Sequence, residues 1–90
     1  MANPKIRELH HRAMCLVDES DKMRRMGYPE LVAPLIGRAY ELELEAADYA
    51  VTEPSRSVLY WSAATLALRC GRFDDARKSI ELGCTENTHL

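Results

Sequence analysis

The stretch Arg69-Cys70-Gly71-Arg72-Phe73-Asp74-Asp75-Ala76 decides the fold of this chain. Gly71 stops one helix, because glycine readily takes the left-handed backbone conformation that closes a helix C-terminus. Asp74 and Asp75 then fall in the first turn of a following helix, where the helix dipole favours negative charge. Phe73 is expected to plug the space between the two helices, and the small Ala76 to let them cross closely. The stretch therefore reads as the centre of a helical hairpin.

Working outward, the same punctuation recurs. Upstream, Glu53-Pro54-Ser55 can cap a helix that runs through Val58, Leu59, Ala63, Leu66, Ala67 and Cys70. Ser62, Ala63, Ala64, Thr65 and Ala67 make that helix dense in small side chains, which permit close neighbours. Downstream, Phe73, Ala76, Ile80 and Gly83 share one face of a fourth helix ending near Leu82, and residues 85–90 read as a tail. The second segment carries two apolar stripes, Leu31, Leu35, Ala39, Leu42, Ala46, Tyr49 and Val32, Ile36, Tyr40, Leu44, Ala47, Val51. Two stripes predict a helix packed on more than one side. Pro34 and Gly37 conflict with an early start, so this helix either begins late, near Pro34, or is kinked in its first turns. The first segment repeats Ile6, Leu9, Ala13, Leu16, Ser20 and Met23 at helical spacing. Asn3 is its expected N-cap, with Pro4 at the first helical position and Gly27 as the stop. The prediction is an all-α chain of four helices forming two antiparallel hairpins in a single domain, residues 1–84.

The Gly71 to Ala76 stretch resembles the centre of a tetratricopeptide repeat, in which glycine, an aromatic and alanine occupy these spacings. Extending that register places Tyr60 at the repeat's aromatic position, Ala63 and Ala64 at its leucine and small-residue positions, and Ile80 and Gly83 beyond. Laid on the first half, Gly27 corresponds to Gly71, but the two glycines lie 44 residues apart, longer than the usual repeat of about 34. Tyr28 follows Gly27 directly, so the first hairpin departs from the pattern. The chain also resembles small bacterial proteins with tetratricopeptide-like (TPR-like) helices, through Leu9 to Met14, Tyr40 to Glu43 with Glu45 to Ala47, Glu53 to Tyr60, Ser62 to Ala64 and Leu66 to Leu68. That resemblance implies a fold more than a function. A three-helix bundle like the microtubule-interacting-and-transport domain is the alternative all-α architecture.

Composition narrows the function classes. The chain has 90 residues, 47% hydrophobic and 29% charged, with a net charge of −2, a balance that speaks against a nucleic-acid binder. No apolar run approaches about 18 residues, and the opening Met1 to Glu8 lacks the apolar stretch of a signal peptide. Three cysteines without paired spacing do not suit a disulfide scaffold. A cytoplasmic protein without membrane association is the expectation.

Charge is partitioned along the chain. Residues 28–53 hold one basic and six acidic side chains, between two mildly basic segments. Glu41, Glu45 and Asp48 share a face of the second helix, readable as a solvated face or as the acidic wall of a groove for a basic peptide. Arg56 sits in the first turn of the third helix, where the dipole disfavours a cation, so a carboxylate such as Glu45, Asp48 or Glu53 is its expected partner. The other reading of Arg56 is an anchor for a partner's carboxylate or phosphate. Of the adjacent Tyr60 and Trp61, one must point away from the core, because neighbouring helical residues lie about 100° apart. An exposed aromatic there is a candidate interface anchor.

Catalytic and metal signals are weak. His11 and Cys15 lie four residues apart on one helix, which is half of a metal site at best, and no Cys-x-x-Cys pair completes it. No Gly-x-Ser-x-Gly and no phosphate loop is present, so neither enzymatic activity nor a cofactor is expected. The expected role is a non-catalytic interaction module for a protein or peptide, with Glu41, Glu45, Arg56, Tyr60 and Trp61 as its candidate binding residues. The alternatives are an obligate homodimeric regulatory or accessory subunit and a small-ligand or metal-binding protein. Two hairpins leave apolar faces uncovered, and repeat arrays usually need about three repeats, so another chain is expected to supply the missing burial.

Overall fold

The computed structural model describes residues 3–85. Four α-helices follow one another: α1 (Pro4–Arg25), α2 (Val32–Tyr49), α3 (Ser55–Arg69) and α4 (Phe73–Thr85), with a short 3-10 turn, Pro29–Leu31, ahead of α2. There is no strand among the described residues. The chain is all-α, and four helices rather than three set aside the three-helix alternative. The expected tail at 85–90 lies outside the described residues except for Thr85, whose backbone continues α4.

The termini of the helices follow from local chemistry. The Asn3 side chain accepts a hydrogen bond from the Lys5 N–H at 2.7 Å, and Pro4 takes the first helical position, where its missing N–H costs nothing. Gly27 and Gly71 adopt φ of +92° and +82°. At each, the two N–H groups past the helix turn back to its last carbonyls: Gly27 to Arg24 and Tyr28 to Met23, Gly71 to Leu68 and Arg72 to Ala67. Pro34 is the third residue of α2, among the four N–H positions that have no partner inside a helix. The late start is therefore the resolution, with the 3-10 turn absorbing the residues before it. At α3 the Glu53 carboxylate accepts from the backbone N–H of Ser57 at 3.1 Å and from its hydroxyl at 2.7 Å.

Contacts between helix ends define the topology. Gly83 near the end of α4 accepts from Ser57 near the start of α3, so these two run antiparallel. Asp21 near the end of α1 lies 3.7 Å from Arg69 at the end of α3, so α1 and α3, both packed on α2, run in the same direction. α2 runs against both: a groove formed by Asn3 and Ile6 of α1 also takes in Tyr49 and Ala50 at the end of α2. The molecule is a slab of 47 × 28 × 14 Å, so the helices have little cover on their outer sides.

The core is rich in alanine. Ala13, Ala39, Ala46, Ala47, Ala63, Ala67 and Ala76 are buried among Leu9, Ile36, Leu42, Leu59 and Leu66. Both stripes of α2 are buried over their middle, and their ends, Leu31, Tyr49 and Val51, are exposed. Two expectations are corrected here. Phe73 is 67% exposed and does not plug the space between helices, and Ile80 also faces outward. Ala76, Ser79 and Gly83 form the packing face of α4 instead. Small residues let α4 approach α3 closely, which leaves no room for the large ones between them: a Cβ added at Gly83 would stand 3.0 Å from Trp61 and 3.1 Å from the Tyr60 Cβ.

Candidate functional site

Two clusters and one face stand out. The first cluster closes the α2–α3 corner. Tyr60 is buried at 3% exposure, and its hydroxyl donates to Asp48 at 3.0 Å. The Arg56 guanidinium lies 4.9 Å from the centroid of the Tyr60 ring and donates to the Ala50 carbonyl at 3.4 Å. Burial raises the Tyr60 pKa above its ordinary 10.0, and the hydrogen bond and charge of Asp48 add to this, while Arg56 opposes it. Arg56 thus joins the corner that connects α2 to α3, and Tyr60 is part of the packing rather than a free surface anchor.

The second cluster ties the α3–α4 turn to α2. The Arg72 guanidinium donates to Asp75 at 2.8 Å and to Glu41 at 3.4 Å, and it lies 4.7 Å from the centroid of the Tyr40 ring. Burial works against its charge, but the hydrogen bonds to Asp75 and Glu41 outweigh this and raise its pKa. Glu41 also accepts from Arg38 at 3.3 Å. The charge of Glu41 is met within the molecule, while Glu45 and Asp48 lie exposed further along the same helix. Glu41 and Arg56 belong to separate clusters, one at the middle of α2 and one at its C-terminal end.

The face belongs to α3 and α4. Trp61 is the outward member of the aromatic pair, 51% exposed. On these two helices Leu68, Phe73 and Ile80 are also exposed. Trp61, Ala64, Thr65, Leu68, Ile80 and Cys84 line a shallow, predominantly apolar groove of about 290 Å³. Gly83 lets α4 lie close against the Trp61 ring.

A buried polar centre escaped the reading of the sequence. Glu43 of α2 has no solvent exposure, and both of its carboxylate oxygens accept from His10 Nδ1 of α1, at 2.9 and 3.0 Å. The Ser62 hydroxyl of α3 donates to the same carboxylate at 2.6 Å. A buried carboxylate costs several kcal/mol unless it is paired and hydrogen-bonded, and here one side chain from each flanking helix satisfies it. The signal was present: Ile36, Ala39, Glu43, Ala46 and Ala50 recur at steps of three and four, so Glu43 occupies a core position of α2.

His11 and Cys15 approach to 3.6 Å as their spacing implies, on an exposed face. Among the described residues, no three or more His, Cys, Asp or Glu side chains gather where they could hold a metal ion. No helix among them is long and apolar enough to cross a membrane. No protein-family model, curated protein or solved structure matches this chain.

Proposed function

We propose that this chain is a non-catalytic, cytoplasmic helical interaction module with TPR-like hairpins, and that its α3–α4 face receives an apolar helix of a protein partner. The observation that carries this reading is the groove lined by exposed Trp61, Leu68 and Ile80. Contiguous exposed apolar surface on a small protein marks an interaction site. A groove between two helices suits the apolar stripe of a third, with an aromatic residue as the anchor. Arg56 and Tyr60 contribute by holding the corner from which α3 starts.

The test is recovery of partners from the native host with the wild-type chain and with Trp61→Ala and Arg56→Ala. Loss of the same partner with Trp61→Ala, while Arg56→Ala has the smaller effect, supports the reading. Equal recovery with all three chains rejects this face. A homodimer is the second reading, since a second copy would cover the same apolar residues. Light scattering after size exclusion decides between them: a dimer that Trp61→Ala converts to a monomer favours self-association through this groove.

A further inference from the structure

We propose that His10 is a phosphoryl-acceptor site, whose Nε2 takes a phosphoryl group from a phosphoramidate-class donor such as the phosphohistidine of another protein. The His10 ring is half out of the protein, with its side chain 49% exposed, and its Nδ1 edge is pinned to Glu43. An ionised carboxylate has no hydrogen to give, so Nδ1 carries the proton and donates it. In the neutral imidazole this tautomer leaves the lone pair on Nε2, at the far edge of the ring. Glu43 cannot swing away, because it is fully buried and Ser62 holds one of its oxygens at 2.6 Å.

The surroundings suit an anion. His10 borders a groove of about 240 Å³ between α1 and α3, with Val58 and Leu59 on its apolar side. Arg7, one turn before His10, lines the same groove and supplies a guanidinium for phosphoryl oxygens. In the transfer the Nε2 lone pair forms a bond to phosphorus, and the donor's P–N bond breaks. The donor is protonated at its leaving side before transfer, so the departing nitrogen keeps the electron pair and leaves as a neutral amine or imidazole. The His10 ring becomes a cation, still protonated at Nδ1, and that new charge lies against the buried Glu43 carboxylate. One P–N bond replaces another, so no oxidant or nucleotide is needed.

The chain carries its own control in His11, which lies beside His10 in sequence and faces Cys15 rather than a carboxylate. The full-length chain is treated with potassium phosphoramidate, and labelling is followed by phosphorus NMR and by mass spectrometry that locates the modified residue. Phosphorylation at Nε2 of His10 is expected at least about tenfold faster than at His11, the factor that one hydrogen bond to a charged group contributes. Glu43→Gln keeps a hydrogen-bond acceptor but removes the charge, and its His10 rate is expected to fall toward that of His11, with the fold checked by circular dichroism. Should that variant unfold, the ratio of His10 to His11 in the wild-type chain decides alone. Labelling of His10 no faster than His11, or unchanged labelling in folded Glu43→Gln, overturns the proposal.

Discussion

Glu43 shows how a single residue organises three helices. It sits where α2 is covered on both sides, and its carboxylate receives His10 from one neighbour and Ser62 from the other. Truncation to alanine leaves a cavity and strands the Ser62 hydroxyl and the His10 N–H without their acceptor. Glu43→Ala is therefore expected to lower stability by about 3 kcal/mol, read from the urea midpoint. Tyr60 makes a second residue-level prediction, this time in pH. Its folded pKa lies above the ordinary 10.0, because burial and Asp48 disfavour the phenolate. The folded chain therefore holds the phenol proton more tightly than the unfolded chain does. The resulting stability is complete below pH 10 and is lost as pH rises through the folded value. Urea unfolding at neutral pH and above pH 10 should show a steeper alkaline loss for the wild type than for Tyr60→Phe.

At the scale of the helix, glycine substitutions separate packing from propensity. Gly37 lies inside α2, and a Cβ added there would meet only ordinary contacts, at 3.8 Å to Arg72 and 4.0 Å to Cys70. Gly37→Ala is expected to stabilise by roughly 0.5–1 kcal/mol, the helix-propensity gain of alanine. Gly83→Ala has the same propensity gain, but its Cβ would stand 3.1 Å from the Tyr60 Cβ, which is fixed to the backbone of α3. Overpacking of this kind costs about 1–3 kcal/mol, so Gly83→Ala is expected to destabilise and to shift Trp61 fluorescence. The contrast reflects what the sequence makes legible. Asn3, Pro4, Gly27 and Gly71 act through local backbone chemistry, and the helix boundaries they imply are the observed ones. Pro34 left two readings open because only the preceding 3-10 turn shows that it stands at an unbonded position. Phe73 and Ile80 misled because periodicity places them beside Ala76 without saying which side of that stripe meets α3. The decision rests on the tight α3–α4 approach at Gly83, a tertiary distance.

The slab-like shape, 14 Å in its thinnest dimension, governs the whole molecule. Helices arranged this way cannot cover every apolar side chain, and α4, the last in the row, packs on α3 through its small residues. Trp61, Leu68, Phe73 and Ile80 remain outside. Of the candidate residues, one member of the Tyr60–Trp61 pair was legible as an outward aromatic from the 100° step between neighbours. The sequence left open which of Tyr60 and Trp61 faces outward, because that depends on where α4 lies. The acidic face of α2 was legible as charge, but the pairing of Glu41 with Arg72 depends on the α3–α4 turn folding back onto α2. The most direct measurement places a photo-activatable aromatic at position 61 and, as a control, at position 45 on the exposed face of α2, in the chain expressed in its native host. Crosslinks from position 61 to an amphipathic helix of a discrete partner, absent from position 45, are the expected result. Equal crosslinking from both positions, or none from position 61, would contradict a docking role for the α3–α4 face.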